Sequence, residues 1–111
     1  MELRTEQLGD ITRAIPVGRW DIPGATAIDV RLSAVAARGR PVIIDLAEVT
    51  YISSMGIRAI LLNAKANAQK GGKLVLLSPS AHVEQALKAA AIPEIVTLCR
   101  SIDEAKAALA G

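Results

Sequence analysis

Two short runs, Val42-Ile43-Ile44 and Leu74-Val75-Leu76-Leu77, are apolar at every position and rich in β-branched residues. A strand with one wet face alternates; a strand covered on both faces does not. The stretch between the two runs carries a helix-period pattern and ends at Gly71-Gly72. Parallel neighbours need such a crossover, and the crossover is right-handed. These features predict an α/β domain with a largely parallel sheet sandwiched between helices.

The flanking segments extend this plan. Leu3–Leu8 and Ile11–Arg19 read as two strands joined by the turn signal Gly9-Asp10, an N-terminal hairpin that makes the sheet mixed. Pro16 inside the second strand suggests an edge position or a bulge. Gly18 to Gly24 is expected to be a loop. Ile28, Leu32, Val35 and Ala36 recur at helical spacing within Ala25–Ala37, and Gly39 is a suitable stop. Pro41 opens a strand over Val42–Leu46, and a second helix is expected over Met55–Lys70. Lys73–Leu77 is the next strand. Ser80 caps a third helix, Ala81–Ala91, before Pro93. A short strand is expected over Ile95–Leu98, and Ser101-Ile-Asp-Glu104 is a capping box for a last helix, Ile102–Ala110. The expectation is one domain, residues 1–111, with a mixed, mostly parallel sheet and about four helices.

Composition bounds the chemistry. Aromatic residues are 2% of the chain, Trp20 and Tyr51 without any phenylalanine, so an aliphatic, alanine-packed core is expected. Few aromatics and a net charge of only +2, with its basic residues scattered, argue against nucleic-acid binding. The single cysteine, Cys99, excludes an internal disulfide and reads as a small buried hydrophobe. No stretch is long enough for a membrane span, and the charged N-terminus is not signal-like, which makes the cytoplasm the expected compartment. The lone His82 has no paired nucleophile or carboxylate motif, and one His with one Cys cannot assemble a metal site. Gly71-Gly72 follows a helix and precedes a strand, the reverse of a phosphate loop. Neither an enzyme nor a cofactor is expected, and nucleotide binding has no motif behind it.

The remaining chemistry lies at the start of the second helix, where Ser53 and Ser54 sit between a loop and Met55-Gly56. A helix N-terminus offers unpaired N–H groups and partial positive charge, a favourable place for a phosphate. Serine is also a common N-cap, so capping alone is the competing role for one of the two hydroxyls. At about 100° per residue, Ile57, Ile60, Leu61, Ala64 and Ala68 form one stripe, expected to be the core face. Met55, Ala59, Leu62 and Ala66 form a second stripe, which is either a partner surface or incidental apolar exposure.

With these pieces in place, the chain resembles the STAS domain, in particular the stand-alone bacterial anti-sigma-factor antagonists. The resemblance rests on Gly18-Arg-Trp-Asp21, Val42-Ile-Ile-Asp-Leu46, Tyr51-Ile-Ser-Ser-Met-Gly-Ile57, and Gly71-Gly-Lys-Leu-Val-Leu76 followed by Ala86-Leu87 and Ile92-Pro93. It implies a regulatory protein that binds an anti-sigma factor with serine/threonine kinase activity, is released by phosphorylation, and is restored by a PP2C-type phosphatase. By motif position the acceptor is Ser54. This loop departs from the pattern Asp-Ser-Ser-Gly, with Ser53 in the Asp position and Met55 in the second Ser position, which leaves Ser53 as the alternative acceptor. The expected partner surface is Met55, Arg58, Ala59, Leu62 and Ala66, together with Asp21; Arg58 stands four residues beyond Ser54. The alternative implied by the resemblance is an unphosphorylated STAS scaffold within a signalling or transport complex.

Overall fold

A computed structural model describes residues 1–110. The hairpin is β1 (Glu2–Leu8) and β2 (Ile11–Trp20), paired antiparallel with Leu8 opposite Ile11. Helix α1 (Ile22–Ala37) leads to β3 (Val42–Asp45), and β4 (Val49–Ile52) precedes α2 (Ser54–Gln69). Next come β5 (Leu74–Leu77) and α3 (Ala81–Ala89), a short 3-10 turn at Ile92–Glu94, β6 (Leu98–Cys99) and α4 (Ile102–Ala110). The strand order is β1-β2-β3-β5-β6, with β4 alongside the far end of β2. Every pairing except the hairpin is parallel. The mixed, mostly parallel sheet and its four helices match the expected class.

The two apolar runs lie side by side in β3 and β5, with Val42 opposite Leu74 and Ile44 opposite Leu76. Both strands are buried throughout, because each face of the sheet has its own cover. Ile44 and Leu76 face α1, α2 and α3, while Ile43, Val75 and Leu77 face α4. The larger core is aliphatic as expected, except that its bulkiest fully buried side chain is Trp20. Cys99 is buried, and that burial raises its thiol pKa, as expected of an inert packing residue.

Several boundaries depart from expectation. The stretch expected to be loop up to Gly24 is already helix from Ile22, because Pro23 is tolerated in the first turn and Asp21 caps it. Strand β4 has no counterpart among the expected strands. The strand expected over Ile95–Leu98 is replaced by the 3-10 turn and a two-residue β6, and the third helix ends at Ala89. Pro16 sits neither on an edge nor in a bulge. The N–H groups of Thr12 and Gly18 point away from β1 to Pro41 and Glu48. Pro16 lies between them, where β2 exchanges β3 for β4 as its neighbour. The missing donor falls in a gap of the ladder, where it costs nothing. The register shift comes later, between Gly18 and Arg19.

The expected stops and caps are present. Gly39 follows α1 with φ +69°, and a Cβ there would lie 2.7 Å from the Lys70 Cβ, so the α1 and α2 ends approach too closely for any side chain. Ser80 Oγ accepts from the Val83 N–H at 3.3 Å. Ser101 Oγ accepts from the Glu104 N–H at 3.1 Å, and the Glu104 carboxylate reaches back to the Arg100 N–H at 3.2 Å.

Candidate functional site

The start of α2 is held against the ends of two strands. Ser53 is the N-cap residue, with extended backbone. Its backbone N–H and its hydroxyl both donate to the Trp20 carbonyl at 2.9 Å, and Oγ accepts from the Gly56 N–H at 3.3 Å. The hydroxyl is thus committed on both sides, tying α2 to β2. Gly56 faces inward. A Cβ there would lie 2.7 Å from Ile52 Cγ1 and 2.9 Å from Trp20 Cγ, so only glycine lets the first helical turn rest on these two side chains. Ser54 is the first residue of the helix and is exposed. Among the described residues its hydroxyl has no hydrogen-bond partner. Two adjacent serines therefore differ sharply: one is structural, the other free.

The orientation of α2 corrects the expected helix phase. Its buried residues are Gly56, Ala59, Ile60, Asn63 and Asn67. The core face is turned by about 100°, one residue, from the stripe expected from hydrophobicity. Ile60 belongs to it as expected, whereas Ile57, Leu61 and Ala64 are only half-buried at its margin and Ala68 is exposed. Ala59, expected on the partner surface, is 9% exposed and packs in the core beside α1. The reason lies in the two asparagines, which hydrophobicity assigns to solvent. Asn67 Nδ2 donates to the carbonyls of Ala36 at 3.1 Å and Arg40 at 2.9 Å, satisfying backbone acceptors at the end of α1. Asn63 Nδ2 donates back to the Ala59 carbonyl at 2.7 Å.

The other expected contact residues divide by exposure. Met55 and Leu62 are 43% and 52% exposed, and Arg58 is exposed beside them. Ala66 is half-buried. Leu62 is a ridge between two grooves. One, of about 240 Å³, lies between α1 and α2 and is lined by Ile22, Asp29, Met55, Arg58 and Leu62, with the buried Ala59 at its floor, among others. The other runs between α2 and Ile95 past Leu61 and Lys65. Ser54 opens onto a shallow depression formed with Met55, Ile57, Arg58 and Leu61. Ile22 and Ile95, 64% and 69% exposed, extend the apolar surface beyond α2, and sequence periodicity did not single them out.

Asp21 stands at the edge of this surface with a structural task. Its Oδ1 accepts from the Gly24 N–H at 2.9 Å, capping α1. That bond, with smaller help from Arg19, holds the carboxyl below the usual aspartate range. The Arg19 guanidinium lies 4.4 Å above the Tyr51 ring, and Tyr51 in turn stacks with His82 at 6.5 Å between centroids. His82 is thus a surface residue stacked on an aromatic neighbour. No group of three or more potential metal ligands occurs among the described residues, and no helix there is long and apolar enough to cross a membrane.

Comparison with known proteins places this geometry. Residues 6–105 match the family model of the STAS domain. BtrV of Bordetella bronchiseptica, named as a candidate anti-sigma factor antagonist, is 31% identical over 97% of this chain and 94% of its own length. An anti-sigma factor antagonist from Mycobacterium paratuberculosis superposes with a TM-score of 0.90 over 99% of this chain and 94% of its own, at 16% identity. The Bacillus antagonist SpoIIAA is similar in its unphosphorylated form, with a TM-score of 0.81 at 17% identity over 99% of this chain and 97% of its own. Its phosphorylated form gives 0.72 at 15% identity, over 96% and 98%.

Proposed function

This chain belongs to the STAS domain family and is like its anti-sigma-factor antagonists, and from that premise we propose that it binds an anti-sigma factor with serine kinase activity until Ser54 is phosphorylated. The observation that carries the proposal is the division of labour at the start of α2. Ser53 Oγ is engaged with Trp20 and Gly56, whereas the Ser54 hydroxyl is exposed, unpartnered among the described residues, and adjacent to Met55 and Leu62.

A phosphate on Ser54 adds about −1.5 to −2 charges at neutral pH. At a helix N-terminus that charge is tolerated by the fold. Arg58, one turn on, is placed to pair with it. Against a partner seated on Met55 and Leu62, the same charge must be stripped of water. Arg58 offsets only one of these charges; burying the unpaired remainder costs several kcal/mol, and about 4 kcal/mol weakens binding roughly a thousandfold. Phosphorylation thus releases the partner without unfolding the antagonist, and a PP2C-type phosphatase restores binding.

Capture of partners from the native cell, with phosphopeptide mapping of both serines, tests this reading. The expected result is an anti-sigma factor bound to unmodified protein and phosphate on Ser54. Phosphate on Ser53 alone sinks the acceptor assignment. A stable complex with neither serine ever modified replaces the switch by a constitutive scaffold.

A further inference from the structure

Strand β1 is an outer strand of the sheet, paired only with β2 among the described residues. It runs seven residues without proline or bulge, and its outer row of backbone groups has no strand partner among the described residues; of the residues on that row Thr5 and Gln7 are exposed and Leu3 is buried. The geometry of β2 decides which groups are free. Its even-numbered residues Thr12 and Gly18 direct their N–H groups to the Pro41 and Glu48 carbonyls, away from β1. Its odd-numbered residues therefore exchange hydrogen bonds with β1, where they face Leu8, Glu6, Arg4 and Glu2. The backbone groups of Leu3, Thr5 and Gln7 point outward.

We propose that this edge pairs antiparallel with β1 of a second copy about a twofold axis at Thr5, forming a continuous sheet across a homodimer. Only registers that set outward residues against outward residues can form hydrogen bonds. The register centred on Thr5 uses all of them: Leu3 faces the second copy's Gln7, and Thr5 faces Thr5. It also sets Arg4 opposite the second copy's Glu6, twice by symmetry. These side chains occupy the sites between hydrogen-bonded pairs, where opposed residues come closest. Sliding by one permitted step sets Arg4 against Arg4 or Glu6 against Glu6. The charge pattern therefore specifies one register and one occupant.

Both charges have capacity to spare. Arg4 engages Glu48 through one guanidinium nitrogen, and Glu6 meets Arg13 through Oε1 alone, at 3.3 Å. Leu3 packs into the core beneath α1, so Arg4 and Glu6 lie on the opposite face of the sheet, clear of the α2 surface. A single strand edge buries little area, which puts the dimer in the weak class.

Sedimentation of the purified protein from micromolar to millimolar concentration tests the proposal, with circular dichroism to verify folding. A concentration-dependent dimer is expected, with the exposed Thr5 and Gln7 amides gaining exchange protection as it forms. Arg4→Glu alone and Glu6→Arg alone should each weaken it tenfold or more. An equimolar mixture of the two variants should restore it, because each strand then meets opposite charges. Thr5→Pro removes the central outward donor without touching the β1–β2 ladder and should abolish association. A monomer at millimolar concentration, a dimer indifferent to both charge reversals, or a mixture that fails to recover overturns the proposal.

Discussion

Replacing each of the two adjacent serines by alanine should separate stability from regulation. Ser53→Ala removes an acceptor for the Gly56 N–H and a donor to the Trp20 carbonyl. The carbonyl keeps the Ser53 backbone N–H, so the loss is chiefly that of a cap, about 1–2 kcal/mol. At about 4–8 °C per kcal/mol for a small domain, the melting temperature should fall by roughly 4–16 °C. Ser54→Ala removes a hydroxyl that has no partner among the described residues from an exposed helical position. Alanine is the better helix former there, so stability should stay within about 0.5 kcal/mol of the parent. Ser54→Asp should be neutral or favourable to the fold by about 0.3–1 kcal/mol, since a carboxylate suits a helix N-terminus. The same variant should lose most of its partner affinity, while Ser54→Ala retains it. Calorimetric melting of the three variants and titration of each into the captured partner provide the assay. A Ser54→Ala variant that melts lower than Ser53→Ala would refute the assignment of the cap. Equal partner affinity for the parent and Ser54→Asp would refute the charge switch.

The helix phase gives a second contrast: Leu62→Glu should leave stability within about 0.5 kcal/mol yet reduce partner affinity tenfold or more, about 1.4 kcal/mol, whereas Ala59→Glu should unfold the domain by burying a charge beside α1. Denaturation curves that reverse this order would show α2 turned the other way. Gly56→Ala should destabilise by about 1–3 kcal/mol through overpacking against Ile52 and Trp20, measurable by urea unfolding. The Glu84 carboxyl, bridged by Arg100 and then Lys88, is held at about 2, so its contribution to stability is present above its ordinary value of 4.5 and is lost as pH falls towards about 2. Arg100→Ala should return its NMR titration midpoint towards the ordinary carboxylate range, and an unchanged midpoint would remove Arg100 as the cause.

What the sequence by itself determined was local or periodic. Continuous apolar runs at Val42–Ile44 and Leu74–Leu77 specify strands covered on both faces, and the helical stretch between them demands a parallel crossover. Gly39, Ser80 and Ser101 act through backbone groups within a few residues, so their roles as stop and caps could be read directly. The placement of Ser53 and Ser54 at a helix start is of the same kind. Which of them caps the helix was open, because the deciding partner, the Trp20 carbonyl, lies 33 residues away in sequence. Tertiary structure alone decided the phase of α2. Asn67 looks like a solvent residue until the end of α1 supplies carbonyls for it to satisfy, and Ala59 looks like surface until α1 covers it. Strand β4 is four residues of mixed burial that become a strand only beside β2, and Pro16 fits an interior strand only because β2 changes neighbours there. Exposed Ile22 and Ile95 join Met55 and Leu62 in one surface through the packing of separate elements. Hydrophobic periodicity reports which side of an element avoids water, and only the assembled neighbours determine what each polar group must bond and which apolar group stays uncovered.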